Sequence, residues 1–270
     1  MIRKLIKSKV FLFFIVLFIF LFIRHKLNEN KAYYFPEYPF EEVSLSSGED
    51  KIFKYTGLSP KATKDIFEIK KSSQFYKLNK LYFEKPDIKK EYIFFPTTVQ
   101  ESVKNPIPLA PLCDGDILVT FNTHTLDWRH GHLAIVVDSE KNIILEHMSV
   151  GNTSILSYAE KWGNYPAFAI LRHPDNTKAK KAADFAKEKL TDVPYSIFAG
   201  LIKKDKSKND EISSSHCSHI VWQAYKAVGV DLDSNGGRIV TPKDVAKSDK
   251  LKLVQIFGLN PKDFNGGLMK

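Results

Sequence analysis

Cys217 is the side chain in this sequence best placed to act as a nucleophile. Apolar spacing predicts a helix over 213–228, with Ser213, Ser214 and Ser215 as capping residues and Gly229 as its stop. Cys217, Ile220, Val221, Ala224 and Val228 fall on one face of that helix. The thiol is therefore expected to point inward, toward a sheet, at the positive end of a helix dipole, which favours the thiolate. A thiolate nucleophile needs a base, and the base needs an orienting partner. His132 opens the segment HLAIVVD. Strand alternation puts His132, Ala134 and Val136 on one face and Leu133, Ile135 and Val137 on the other. Both faces are apolar beyond the histidine, as in a central strand. Glu146 lies on the next predicted strand, and a hairpin turn at Lys141-Asn142 would set the two side by side. A carboxylate there can fix the tautomer and orientation of His132.

Other groups compete with this trio. His124 and His130 precede the His132 strand, His147 faces away from Glu146, and His216 and His219 flank Cys217. His219 is expected roughly opposite Cys217 around the helix. No H-E-x-x-H or C-x-x-C spacing occurs, and two cysteines exclude a four-Cys zinc site, so no metal or cofactor is expected. Gly236-Gly237 reads as a turn, not a phosphate loop. Cys113, in a Pro-rich loop before Asp114-Gly115-Asp116, reads as packed or exposed structure. A bridge from it to Cys217 would cap the nucleophile, so Cys217 is expected free.

The elements that must position these residues read as strands at 116–121, 132–138, 142–147, 167–172 and 251–257. Between them lie a helical turn at 158–162, a helix over 175–190, a charged loop at 203–211 and a short helix starting at Thr241-Pro242. This order predicts an α+β domain over 109–258, with a central antiparallel sheet packed on helices. Ahead of it, 32–108 reads as a tether and a small helical or irregular arm. Ser59-Pro60 starts a helix over 60–71, a second follows over 73–84, and 86–113 reads as a Pro-punctuated linker or wrapping arm. Residues 259–270 form a tail.

Composition bounds the partners. The chain has 270 residues, is 43% hydrophobic and 26% charged, and carries a net charge of +9. Residues 1–31 hold seven basic groups and one acidic, which leaves 33 basic against 30 acidic in the other 239. That balance gives no argument for a nucleic-acid partner. Residues 10–23 are an unbroken apolar run of fourteen, or nineteen when extended back to Leu5 across Lys7, Ser8 and Lys9. Nineteen residues span roughly 28 Å as a helix, close to a hydrocarbon core. Four basic residues precede the run and Arg24 and Lys26 follow it, which favours an N-terminus in the cytoplasm and a body outside. No A-x-A cleavage site follows, so an uncleaved membrane anchor over 5–23 is preferred to a cleaved signal.

Five motifs now stand in order: Gly115-Asp116-Ile117-Leu118-Val119, Gly131-His132-Leu133-Ala134-Ile135-Val136, Ile144-Leu145-Glu146, Val193-Pro194-Tyr195-Ser196, and Cys217-Ser218-His219-Ile220-Val221-Trp222. The closing Thr241-Pro242-Lys243-Asp244-Val245 belongs with them. Over about 115–248 the chain resembles the circularly permuted branch of the NlpC-type, papain-like cysteine peptidases, the YiiX/YycO-like proteins, in which the histidine precedes the cysteine. The resemblance implies a permuted papain-like fold, with Cys217 as nucleophile, His132 as general base and Glu146 orienting it. It also implies that Tyr195 lines the site. One departure is His216, where relatives often carry tyrosine. An anchored thiol hydrolase outside a membrane would meet an amide bond in peptidoglycan or another wall peptide first. The same residues would also serve a lipid-directed acyl hydrolase or acyltransferase, and a non-catalytic binding module is the third reading.

Overall fold

The computed structural model describes residues 9–20, 33–94, 98–125, 128–199 and 213–270. Residues 9–20 are a helix, α1, with exposed apolar side chains. Among the described residues no helix is long and apolar enough to cross a membrane. The rest of the anchor expected over 5–23, and the charged loop expected at 203–211, lie outside the described residues.

The body is α+β with two antiparallel sheets. Its centre is six-stranded, built from β3 (Ile117–Thr120), β6 (His132–Asp138), β7 (Ile143–Glu146), β8 (Ile155–Tyr158), β9 (Phe168–Arg172) and β10 (Lys252–Phe257). The order is β10-β9-β3-β6-β7-β8. The alternation read from the sequence sorts its side chains between two cores. Leu118, Ala134, Val136, Ile144, Phe168 and Ile170 face one. Ile117, Val119, Leu133, Ile135, Leu145 and Ala169 face the other. On the second face lie α5 (Asn176–Lys189) and α6 (Cys217–Ala227), joined to the sheet by Ala182, Ala186, Ile220, Val221 and Ala224.

The first face is covered by the N-terminal region. Ser59 caps α3 (Pro60–Glu68) by accepting from the Ala62 N–H at 3.2 Å, as its sequence indicates. Next comes α4 (Ser72–Leu81). Their buried Ile66, Phe75 and Leu78 share one core with the strands. The stretch expected as tether also holds α2 (Glu49–Thr56). Gly48 precedes it with no side-chain cap, so the usual start signal is missing. Gly57 ends it at φ +71°, and a Cβ there would stand 2.0 Å from the Ile256 carbonyl oxygen.

The expected linker at 86–113 needs correction. It contains β1 (Ile88–Phe94) and β2 (Thr98–Val103), which join β4 (Thr123–Thr125) and β5 (Trp128–Arg129) in a four-stranded sheet, β1-β2-β4-β5. Its alternation was masked by a charge on the inward face. Val99, Glu101 and Val103 are all buried, and Arg129 meets Glu101 at 2.8 Å. The strand β8 was missed for the opposite reason, since it is largely exposed and carries no apolar alternation. The expected turn at 158–162 is a 3₁₀ helix, Ala159–Asn164. The C-terminal tail returns to the sheet, where the Met269 N–H donates to the Leu253 carbonyl at 2.9 Å.

A buried ion pair ties the residue just before β3 to the end of β9. Arg172 donates to both carboxylate oxygens of Asp116 at 2.7 Å, and both residues are buried. Arg172→Met would leave Asp116 buried without its partner, at a cost of about 3–5 kcal/mol. Chemical denaturation of the variant should move by that amount, and an unchanged midpoint would contradict the pairing.

Candidate active site

The cysteine helix, expected over 213–228, begins only at Cys217, and its cap lies one residue beyond the last of the three serines. His216 is the N-cap, in extended backbone, and its Nδ1 accepts from the His219 N–H at 3.4 Å. Ser215, instead of capping, meets His219 Nδ1 at 3.0 Å. Cys217 is therefore the first helical residue, where its N–H has no intrahelical acceptor and the dipole is positive. Its thiol is free and partly exposed.

His132 opens β6, at the end of the central sheet. In the β6–β7 ladder Ala134 stands opposite Glu146, so His132, two residues away on the same face, is its diagonal neighbour. Such neighbours lie roughly 7–8 Å apart, within reach of long side chains. His132 Nε2 meets Glu146 Oε2 at 3.0 Å. That commits Nε2 to the carboxylate and leaves Nδ1 for the thiol. The imidazole also stacks on buried Trp162, with ring centroids 5.5 Å apart and planes at 19°.

Glu146 has no solvent exposure. Its second oxygen receives the Ser157 hydroxyl of β8 and the Lys161 ammonium of the 3₁₀ helix. Burial pushes its carboxyl up, but His132 and then Lys161 outweigh that and hold it down at about 2. Burial pushes His132 down, and hydrogen bonding and charge from Cys217 and Glu146 outweigh it, raising it to about 9. Burial also raises the Cys217 thiol, and interaction with the imidazoles of His132 and then His216 holds it well below the usual thiol value. The three groups together favour a thiolate beside an imidazolium, backed by a carboxylate, across neutral pH. Such a thiolate can attack an electrophilic carbon.

His132 thus meets Glu146 directly, and the Cys217 thiol interacts with the same imidazole. Tyr195 borders the same place. Its backbone bridges Ser215, just before the helix cap, and burial together with the Cys217 charge pushes its phenol up to about 12. Its ring packs edge-on against His147 at 4.8 Å. His219, expected opposite the thiol, is buried beside His216 and stacked on Trp222, and burial lowers it to about 4. Trp162, Ser157 and Lys161 were missed as site residues. Ser157 is revealed only by β8 and its pairing register, a strand with no apolar signature, and Lys161 by the 3₁₀ helix that follows it. Cys113 is exposed and unbridged. Among the described residues no group of three His, Cys, Asp or Glu side chains is arranged to hold a metal ion.

No family model matches this chain, and no solved structure matches it. It is 27% identical over 135 residues to the uncharacterized protein YycO of Bacillus subtilis (strain 168), covering 50% of this chain and 52% of that relative. The chain spans about half the length of the curated relative it matches.

The paired ionisation is open to a direct check, with Cys113 as an ordinary thiol in the same molecule. Burial and the Asp116 charge raise Cys113, so its alkylation by iodoacetamide should climb about tenfold per pH unit through neutrality. Cys217 alkylation should stay flat there and fall only as acid protonates its lowered thiol. Parallel climbing of the two cysteines, resolved by peptide mass spectrometry, would contradict the ion pair.

Proposed function

We propose that this chain is a thiol hydrolase of permuted papain-like fold that cleaves an amide bond in a cell-wall peptide or a related extracytoplasmic substrate. The observation that carries the reading is the Cys217–His132–Glu146 constellation, with the sulfur at a helix start and the 3.0 Å contact behind the ring. The partial likeness to YycO supports the family side of the reading. The address comes from the apolar run over 5–23, taken as an uncleaved anchor with the body outside the membrane.

In this mechanism the Cys217 sulfur adds to the amide carbonyl carbon, and the π pair moves to oxygen. Collapse of that intermediate breaks the C–N bond, and the His132 imidazolium gives its proton to the leaving amine. Neutral His132 then takes a proton from water, whose hydroxyl adds to the thioester. The second collapse releases the acid and restores thiolate and imidazolium. Glu146 holds the ring in the required tautomer throughout, and Tyr195 lines the cleft.

A lipid-directed acyl hydrolase is the second reading. Exposed Ile197 and Phe198 lie two and three residues after Tyr195, and exposed Met148 and Val150 lie one and three residues after His147, which favours an apolar ligand near those two residues.

Full-length chain should be incubated separately with purified muropeptides and with phospholipid vesicles, and products identified by mass spectrometry. Peptide amide cleavage should vanish in Cys217→Ala and His132→Ala, and fall roughly 10²- to 10⁴-fold in Glu146→Gln. Acyl release from lipid alone would replace the first reading with the second. Ligand binding that survives Cys217→Ala, with no turnover of either substrate, would leave a binding module.

A further inference from the structure

A buried imidazole stands beside the thiol and outside the trio. His216 is only 7% exposed. Its Nδ1 faces the His219 N–H at 3.4 Å, a donor whose hydrogen is fixed by the backbone. Ser218 Oγ, also near Nδ1 at 3.2 Å, gives its own hydrogen to the Val240 carbonyl at 2.8 Å. Nδ1 is thus the accepting nitrogen, and the neutral ring carries its proton on Nε2. Nε2 is buried and has no hydrogen-bond partner. Native structures leave few buried polar atoms in that condition, and each calls for an explanation.

Two further observations say what the atom is for. The ring belongs to the helix cap, the residue immediately before Cys217, and it favours that thiol's ionisation by hydrogen bonding and by charge. It also packs against His219 at 5.4 Å, and His219 is stacked on Trp222 at 5.4 Å, so the ring is backed from behind. A fixed donor beside a nucleophile, next to the unpaired N–H of the first helical residue, has the make-up of an oxyanion site.

Building on the thiol-hydrolase reading, we propose that His216 is a catalytic residue. Its Nε2–H and the Cys217 backbone N–H together receive the carbonyl oxygen as the sulfur adds to the carbon and the π pair moves to that oxygen. The charge is released when the intermediate collapses and the leaving group departs with the His132 proton. This role comes on top of the ring's smaller share, after His132, in ionising the thiol, and it acts only when an oxyanion forms.

The test uses full-length chain with para-nitrophenyl acetate as acyl donor, following the burst of nitrophenolate and the acetylated Cys217 peptide. His216→Ser keeps an acceptor for the His219 N–H and removes the donor. His216→Thr, another capping residue, replaces it should the serine variant melt early. His216→Gln returns an N–H near the position of Nε2. The serine variant should acylate roughly 10²- to 10³-fold more slowly, with KM within about threefold of wild type. Iodoacetamide alkylation of Cys217, which forms no oxyanion, should stay within about threefold, and the glutamine variant should recover roughly tenfold or more of the lost rate. Acylation at the wild-type rate in the serine variant would overturn the assignment. So would an equal loss of alkylation, which would put the effect on thiol ionisation, or a glutamine variant no faster than serine. Wild-type protein acylated no faster than Cys217→Ala would overturn the hydrolase reading itself, and this proposal with it.

Discussion

A carboxylate withdrawn from water must be neutralised where it stands, and Glu146 is such a group at the end of the central sheet. Its three partners come from three different elements: His132 from β6, Ser157 from β8 and Lys161 from the 3₁₀ helix that follows. The register of both ladders must be right for them to meet. A slip of one residue in β7 would turn Glu146 to the opposite face and leave the imidazole unsupported. The same contact makes folding depend on pH in a definite sense. Glu146 is lowered to about 2, so its contribution is present above its unfolded value and is lost as pH falls toward 2. His132 is raised to about 9, so its contribution is present below its unfolded value and is lost as pH rises through 9. Both are fully present only in the mildly acidic range between the two unfolded values.

The cysteine and the histidine belong to opposite sides of one sheet. His132 shares its face with Ala134 and Val136, under the N-terminal helices, while α6 packs on the other face through Ile220 and Val221. They meet because each stands at the beginning of its element, His132 at the start of β6 and Cys217 at the start of α6. The packing of both faces therefore sets one distance. The N-terminal region is part of that frame. Buried Gln255 of β10 accepts from the Ala110 N–H at 2.5 Å and donates to the Pro108 carbonyl at 2.9 Å. The central sheet is thereby tied to the segment leading into β3.

Much of this was legible in the sequence because apolar alternation and helical spacing follow directly from burial. The strand faces of 132–137, the Glu146 pairing and the helices beginning at Pro60, Asn176 and Pro242 all carried such signals. What escaped lacked an apolar pattern. Glu101 sits at an inward position of β2 because Arg129 neutralises it, a pairing 28 residues away in the chain. The exposed β8 has no core face, yet it delivers Ser157 to Glu146. The helix cap was misread because three serines are better-known caps than a histidine. His216 takes that place because its imidazole accepts from the helix on one nitrogen and leaves the other turned away from it.

The proposed chemistry depends most directly on the protonation state of one ring. Nitrogen-detected NMR of full-length chain, with His132 assigned by comparison with His132→Ala, would follow that ring through a pH titration. The imidazole should stay protonated through neutrality and lose its proton near pH 9. A ring that is already neutral above about pH 6.5, the ordinary histidine value, would contradict the thiolate–imidazolium pair on which the chemistry rests.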